Sequence, residues 1–332
     1  MKGSESAGSP LESVAGVAGS RVAETFKLLS NETRLAILLA LWEAYEPHSN
    51  ADSLSFTALR DRVGVRQGGQ FNYHLDQVVG EFVEKTDEGY ALLRKGRMLV
   101  QSIIAGTGIE DPILEQTAID ARCDHCGART AITYGNNYVY QVCTECPAEA
   151  PPDSPHPEGT LLAWTFEPTG LTDRTAEEVF TASTVKNYAR IVLRFEGLCP
   201  VCSGPVDWSL DACSEHEPET DGVCAACDRE DPVLAREQCT VCKSKGYGTP
   251  GIKVLFHPAV VSFFHHHGVE LGLTGDTGFE DVVRTLEIVE GLEETVRSTE
   301  PLRVRVTATA DGDALHLDLD EAMNVVQVRE ES

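Results

Sequence analysis

The sequence contains no hydrophobic run that approaches the roughly 18 residues needed for a membrane-spanning helix, although hydrophobic residues make up 42% of its 332 residues. The first twenty residues, MKGSESAGSPLESVAGVAGS, lack the basic start and apolar centre that are typical of a signal peptide. We therefore expect a cytoplasmic protein that does not contact a membrane. Its length predicts two or three domains, because single cores rarely grow beyond about 250–300 residues.

The motifs of the common enzyme classes are also missing from the sequence. It contains no evident pair of nucleophile and general base, no paired carboxylates in a recognisable frame and no cofactor fingerprint. The stretch GLTGDTG contains glycines, but neither the lysine nor the preceding strand of a phosphate-binding loop. We therefore predict that the protein is not an enzyme.

Positive charge is scarce, with 27 Lys and Arg against 53 Asp and Glu, for a net charge of −26. Residues 1–107 are nearly neutral, with 11 basic and 13 acidic side chains, whereas the remainder has 16 basic and 40 acidic ones. An acidic surface with more arginine than lysine is typical of a protein that stays soluble in a very salty, halophilic cytoplasm, where charges are screened within a few Å. Only the first third could approach a polyanion.

Cysteine, by contrast, is abundant, and ten of the eleven cysteines form five C-x-x-C pairs. Because cytoplasmic thiols stay reduced, this pattern favours metal binding over disulfide bonds. A redox role would need a thioredoxin-like βαβ context, which the sequence lacks. Structural zinc takes four ligands, and adding His216, spaced C-x-x-H from Cys213, makes twelve ligands in three sets of four. The predicted ligands of up to three structural Zn²⁺ ions are Cys123, Cys126, Cys143, Cys146, Cys199, Cys202, Cys213, His216, Cys224, Cys227, Cys239 and Cys242.

The first four ligands predict a zinc ribbon. Two β-rich runs lie between the two C-x-x-C pairs, around the turn signal Gly135-Asn136-Asn137, and His125 is interpreted as a bystander. For the other eight ligands we expect sequential pairing, with Cys199/Cys202 joined to Cys213/His216, and Cys224/Cys227 joined to Cys239/Cys242. Interleaved pairing, which is similar to RING-type modules, ranks second, and a nested arrangement stays open.

Apolar spacing in the first third predicts a run of short helices followed by a β-hairpin. A helix from Val22 precedes a second helix that Ser30 or Asn31 caps, and TALRDRV and QFNYHLDQVVG form two more. Two short strands around a Thr86–Gly89 turn and a last helix, KGRMLVQSII, complete the segment. Helices followed by a β-hairpin wing are the plan of a winged helix-turn-helix.

Residues 22–106 resemble the ArsR-like winged-helix regulators, particularly the form found in halophilic archaea. The stretches FKLLSNETRLAILLAL and GQFNYHLDQVVGEFVEK carry this resemblance. It implies a homodimer that binds a two-fold double-stranded DNA site. The sequence departs from the pattern of this family in two ways. Arg66 stands where the recognition helix usually begins with a Ser cap, and the cysteines by which some members sense metals are absent. The residues nominated for DNA contact are Arg66, Gln67, Gln70, Asn72, Tyr73 and His74 in the groove, and Lys85, Arg94, Lys95 and Arg97 near the wing.

The remaining segments predict mixed structure. TAEEVFTASTVKNYARIV is an amphipathic helix, VLRFEGL a strand leading into Cys199, and Pro258 the start of a helix that contains His265-His266-His267. Strands alternating about Asp311-Gly312, and a last strand NVVQVRE, predict a small antiparallel sheet. Its predicted inner face is formed by Val304, Val306, Leu315, Leu317 and Leu319. These segments resemble the C-terminal region that accompanies the same winged helix in haloarchaeal proteins, a resemblance that brings no ligand with it.

The predicted fold class is therefore α+β: an N-terminal winged helix-turn-helix, small zinc-ribbon modules and a C-terminal α/β segment that ends in an antiparallel sheet. The predicted boundaries are a flexible N-terminus (1–19), the DNA-binding domain (20–107), a zinc ribbon (108–150), a strand-helix-strand connector (151–198), a double zinc module (199–247) and a C-terminal helix plus sheet (248–332). The predicted function is DNA-binding transcription regulation, with a possible protein partner at the zinc-rich region. The alternative is a zinc-stabilised protein-interaction module, RING-like or adaptor, in which the winged helix serves as a docking surface.

Overall fold

A computed structural model describes residues 25–47, 53–106, 112–148, 156–217, 223–227, 229, 231–271 and 277–331. It divides into two compact units, Met1–Asp111 with Glu167–Thr169, and Pro112–Phe166 with Gly170–Ser332. The predicted N-terminus (1–19), the position Val22 and most of the GLTGDTG stretch lie outside the described residues. The fold is mixed α+β, and all of its paired strands in the described residues are antiparallel.

The first unit consists of helices and one β-hairpin. After a helical segment at 25–29, the elements are α1 Glu32–Glu43, α2 Phe56–Val63, α3 Gly68–Val78, β1 Val83–Lys85, β2 Tyr90–Leu92 and α4 Arg94–Ile104. Asn31 rather than Ser30 caps α1, because its side chain accepts a hydrogen bond from the Arg34 amide. Gly64, with a positive φ of 75°, ends α2.

Apolar side chains from all of these elements form the core of the first unit. Leu38, Leu41, Leu59 and Phe71 are each fully buried, and α3 contributes Leu75 and Val78 as its spacing predicts. The predicted hairpin is confirmed, with Val83 opposite Leu92 and Lys85 opposite Tyr90. At its turn, Gly89 lies so close to the backbone of Leu54 that a Cβ would approach the carbonyl oxygen of Leu54 to 2.2 Å.

The second unit begins with a four-stranded sheet, β3 Leu114–Arg122, β4 Arg129–Gly135, β5 Tyr138–Cys143 and β6 Thr160–Thr165, in that order. The predicted β4–β5 hairpin is confirmed: Gly135 pairs with Tyr138, and Asn136 and Asn137 have φ values of 51° and 61°. Two consecutive positive φ values give the turn that matches the twist of paired strands, and asparagine tolerates them.

A helix of 20 residues, α5 Ala176–Phe195, follows, and Thr175 and Glu178 form a reciprocal capping box at its start. The prediction that VLRFEGL is a strand is wrong, because its first four residues continue α5. Tyr188, Ile191 and Arg194 stay buried on one helical face. The first residue suited to end the helix is Gly197, with a φ of 74°.

The described residues of the remainder of the second unit form two more antiparallel sheets and three helices. The elements are β7 Val206–Ala212, β8 Val233–Cys239, β9 Lys245–Gly248, α6 Pro250–Val254, α7 Pro258–His266, α8 Phe279–Glu290, β10 Glu293–Thr299, β11 Leu302–Ala310, β12 Asp313–Asp320 and β13 Val325–Glu331. The C-terminal sheet has the order β10-β11-β12-β13. The five residues predicted for its inner face are at most 2% exposed: Val304, Val306, Leu315, Leu317 and Leu319. Within the described part of the chain, every helix is too short or too polar to cross a membrane.

A buried ion network joins three elements of the second unit. The carboxylate of Glu237 on β8 lies 3.2 Å from Arg194 of α5 and 3.0 Å from Lys253 of α6. Arg194 also donates to the hydroxyl of Ser244 at 2.9 Å, and the Lys253 ammonium lies 4.6 Å from the centroid of the Trp208 ring. Since both cations depend on one carboxylate, Glu237 is the centre of this network.

We expect Glu237→Gln to destabilise the second unit by about 3–5 kcal/mol, because it leaves two buried cations without their counterion while retaining the side-chain shape. Arg129→Ala is the matched control, since it removes a salt bridge whose partners are 59% and 68% exposed and should cost less than about 1 kcal/mol. The measurement is the midpoint of denaturant unfolding. Equal losses in the two variants would contradict the prediction.

Glu294 on β10 is a second buried acid. Its Oε1 accepts a hydrogen bond from the Gly251 amide at 2.6 Å, whereas its Oε2 is buried without a hydrogen-bond partner. Burial, and secondarily the charge of Asp231, raise the pKa of Glu294 from 4.5 to about 8, although the Gly251 bond opposes the shift. The folded state therefore holds a proton that the unfolded state releases between these two pH values.

The stability of the second unit should consequently fall as pH rises from about 4.5 to about 8, because over this interval the folded state still holds a proton that the unfolded state has released. We expect Glu294→Gln to flatten the decline between pH 6 and 8.5, where the wild type loses at most about 1.4 kcal/mol per pH unit from this group. Glu293→Gln, at the exposed neighbouring position, should leave the slope unchanged. The measurement is thermal unfolding at several pH values in this range. If stability declines with pH equally in all three proteins, the prediction is refuted.

Candidate metal centres

The first predicted ligand set comes together around the β4–β5 hairpin. Cys123 follows β3 and Cys126 precedes β4, while Cys143 ends β5. The Sγ atoms of Cys123 and Cys146 are 3.7 Å apart, and those of Cys126 and Cys143 are 3.5 Å apart. All four lie within 4.8 Å of one another, so this group could hold one metal ion.

The second centre is formed by the pairs at the two ends of the later cysteine-rich segment. Cys199 and Cys202 follow α5, and Cys239 and Cys242 lie at the end of β8. The Sγ separations are 3.6 Å for Cys199 and Cys242 and 3.5 Å for Cys202 and Cys239. The third centre combines the four intervening ligands, and the Nδ1 of His216 is 3.5 Å from the Sγ of Cys227.

The second and third centres are therefore nested. Sequential pairing, the arrangement expected from the sequence, is wrong, and so is the interleaved alternative. The physical reason is the antiparallel pairing of β7 with β8, which puts Val206 opposite Cys239 at one end and Ala212 opposite Val233 at the other. The outer cysteines meet at the first end, and the inner ligands meet where β7 and β8 are linked. His216 is confirmed as a member of the inner set.

Tight backbone turns bring the two thiols of three C-x-x-C pairs close together. In three of these pairs, the residue after the second cysteine has positive φ: Gly127 at 70°, Ser203 at 59° and Lys243 at 62°. The same three amides donate to the carbonyl oxygen of the first cysteine of their pair at 2.8, 2.8 and 3.2 Å. The tight turn brings both sulfurs to the same side of the backbone.

These separations fit a metal ion rather than disulfides. Four sulfurs about 2.3 Å from a tetrahedral ion lie about 3.8 Å from one another, whereas a disulfide needs about 2.05 Å. All eleven cysteines fall within the described residues, and each of them is a free thiol there. The donor chemistry, with soft sulfur and one imidazole, also suits zinc-like ions.

The thiols within a cluster ionise unequally. Burial opposes ionisation of Cys199, but the amides of Cys202 and Val201 lower its pKa to about 6. The Ser244 amide favours ionisation of Cys242, yet burial and hydrogen bonds with Cys202 and Cys199 raise its pKa to about 12. Neighbouring thiolates thus restrain one another, and a cation at the centre would let all four ionise.

Other histidines in the described residues stay outside the metal-compatible groups. His125 lies within the first C-x-x-C pair, next to Asp124, but it is not one of the four clustered ligands. In the His265–His267 triplet, only His267 is inward, and its Nδ1 and Nε2 lie 3.3 and 3.6 Å from Asp311 and Asp313. His265 and His266 end α7 and are exposed, whereas His267, the residue that follows the helix, is partly buried.

Most residues predicted to contact DNA lie on the surface of the first unit. Arg66, Gln67, Gln70, Asn72, Tyr73, Lys85, Arg94 and Lys95 are exposed, and Arg97 is half-buried. Lys95 pairs with Glu81 at 2.8 Å, and Arg97 donates to the Leu92 carbonyl oxygen. His74 must be corrected: it is only 9% exposed, because it shares the inward face of α3 with Phe71, Leu75 and Val78.

Two exposed residues of α3, Asp76 and Gln77, escaped the sequence-based selection. Helical spacing alone points to both of them. Asp76 lies four residues after Asn72 and Gln77 lies four residues after Tyr73, and residues four apart lie on the same side of a helix. His74 lies on the inward side of the helix, whereas Asp76 lies on the outward side, so helical position distinguishes the two residues although the DNA-binding chemistry of their side chains does not.

Comparisons with known proteins give two matches to family models. One family, described as a domain of unknown function (DUF7347), matches residues 22–103. A second, also described as a domain of unknown function (DUF7351), matches residues 120–325, a span that includes all three candidate metal centres. No curated protein and no solved structure matches the chain. Since the second match covers more than half of the 332 residues, the chain belongs to the DUF7351 family.

Proposed function

We propose that the protein is a cytoplasmic, DNA-binding transcription regulator of ArsR-like type that acts as a homodimer. The observation that carries this proposal is the element order of the first unit, in which α2 and α3 are joined by a short turn and followed by the β1–β2 hairpin. This order agrees with a winged helix-turn-helix, in which the second helix of the pair enters the major groove. The exposed side chains at the start of α3 are consistent with that role.

The beginning of α3 is suited to contact with a DNA backbone. Its N-cap, Gln67, makes no side-chain capping bond, so amide groups at this end stay available to a phosphate. A Cβ at Gly69 would meet nothing within 4 Å, and one at Gly68 would meet only Arg60, at 4.0 Å. Arg62 and Arg66 are exposed nearby in the sequence and add positive charge. Base selectivity would then come from Arg66 and Gln67 at this end together with side chains further along the helix.

We also propose that the three centres hold structural Zn²⁺. Four protein donors at each centre leave no open position for a substrate or water, whereas catalytic zinc requires one. Zinc binding in such small modules contributes roughly 10–16 kcal/mol of apparent free energy, which can replace a large apolar core. The second unit would thus be a rigid region for an effector or a protein partner, and we assign it no enzymatic role.

A protein-interaction module is the second candidate, because α3 contains no lysine or arginine and carries the acidic Asp76. The segment from residue 108 onward, with 16 basic and 40 acidic residues, would repel nucleic acid and attract a basic protein surface. In this case the first unit would be a docking surface. Recovery of a stable protein complex without enriched DNA would favour this candidate.

For the leading proposal, we expect Arg66→Ala combined with Gln67→Ala to abolish the preference of the protein for its own promoter. Each bidentate base contact contributes about 1–3 kcal/mol of discrimination, and both side chains are exposed, so the fold should survive. Arg284→Ala, which removes an exposed arginine of the second unit, is the control and should bind normally. Gel shifts with promoter and scrambled duplexes at working salt measure the effect, and retained preference in the double variant would count against the proposal.

For the metal proposal, elemental analysis should find three zinc ions per chain, one for each ligand group. The nested arrangement makes paired variants informative. Cys199→Ser with Cys242→Ser removes two ligands of one centre and should lose one ion, whereas Cys199→Ser with Cys213→Ser affects two centres and should lose two. Sequential pairing requires the opposite result. Absence of zinc in the wild-type protein would refute the assignment of the metal.

A further inference from the structure

The outward face of α3 is centred on one glycine and two polar side chains. Phe71, His74, Leu75 and Val78 form its buried side. With 3.6 residues per turn, the opposite side is centred on Gly69, Tyr73 and Asp76. All three are exposed, and Tyr73 is 57% exposed. If α3 enters the major groove, these positions face the base edges most directly.

Asp76 is held by its neighbour on the helix. The Nδ2 of Asn72 donates to the Oδ2 of Asp76 at 2.8 Å, one helical turn apart. Within the described residues, no lysine, arginine or histidine forms a salt bridge with Asp76. Its exposed carboxylate is therefore an acceptor oriented by Asn72.

On the basis of the function proposed above, we infer that Asp76, positioned by Asn72, selects cytosine in the bound DNA. A carboxylate cannot contact phosphate favourably, so in a groove its partner must be a donor on a base. The major-groove edge of cytosine offers only the N4 amino donor, which pairs with Asp or Glu. Adenine offers its N6 amino group beside the acceptor N7, which repels a carboxylate, and guanine offers only the acceptors N7 and O6. Asp76 would therefore bind cytosine and repel guanine at one position of each half-site.

The absence of a cation on α3 strengthens this inference. A lysine or arginine beside Asp76 would neutralise it and leave a general affinity for any duplex, but the eleven residues Gly68–Val78 include neither, and His74 lies on the buried side. The carboxylate instead penalises every duplex that offers no donor at this position. The expected discrimination is about 5- to 100-fold between cytosine and guanine, as for other good side-chain–base contacts.

The experiment is selection of bound duplexes from a randomised pool by the full-length protein, followed by sequencing. The variants are Asp76→Ala, which removes the acceptor, and Asp76→Asn, which keeps the shape and supplies the donor–acceptor pattern that suits adenine. Glu43→Gln is the matched control, because it removes one exposed carboxylate from α1 rather than from α3. Circular dichroism verifies that all four proteins are folded, as expected for changes at exposed positions.

We expect the wild-type motif to contain a cytosine whose enrichment disappears with Asp76→Ala and changes toward adenine with Asp76→Asn, while Glu43→Gln retains the wild-type motif. An unchanged motif in both Asp76 variants would overturn the inference and leave the proposed function intact. A wild-type protein that enriches no motif would overturn the proposed function, and the inference with it. Loss of all binding by Asp76→Ala, with the fold intact, would also overturn the inference, because removing an anionic group cannot reduce attraction to the DNA backbone.

Discussion

The second unit depends on a constraint of coordination geometry: four donor atoms must face one point at each of three places. The strand β7, between the second and third centres, adds little apolar burial to hold them, since none of its residues is fully buried. The thiols also ionise unequally: against the effect of burial, backbone amides lower the pKa of Cys199 to about 6, whereas burial and hydrogen bonds with Cys202 and Cys199 raise that of Cys242 to about 12. A divalent cation at each point would favour ionisation of all the thiols and draw the two halves of each centre together.

The buried ion network fits the same constraint. Arg194 lies five residues before Cys199, Glu237 two residues before Cys239, and Ser244 two residues after Cys242. The contacts of Arg194 with Glu237 and Ser244 therefore join the segments that carry both halves of the second centre. Such a network costs desolvation energy that apolar packing would not. Here it fixes the register of α5 against β8, and that register determines whether the two thiol pairs can share an ion.

The sequence predicted the composition of the metal centres better than their connectivity. C-x-x-C spacing and the count of twelve identified every member of the three metal-compatible clusters, including His216, because ligand chemistry is local. The nested pairing is not local: it follows from β7 lying antiparallel to β8. The sequence of β7, VDWSLDA, alternates apolar and polar residues as a strand does, but this periodicity does not indicate which strand β7 pairs with. Likewise, β10 has the sequence EETVRST, in which a single valine marks the inward side, and it was not predicted. VLRFEGL is rich in strand-forming residues, yet tertiary burial of Arg194 keeps its first part helical.

The distribution of charge also bears on how the first unit would select DNA. If it binds DNA, attraction to phosphates must come from residues that flank α3, such as Arg62, Arg66, Lys85 and Arg94, because α3 itself has no cation. Concentrated salt weakens that attraction steeply, whereas hydrogen bonds to base edges release few counterions and change less. A carboxylate among the groove-facing residues lowers affinity for random sequence further. Under these conditions the protein would lose non-specific binding first, so an acidic residue on the reading helix would increase specificity at little cost to the binding of its own site.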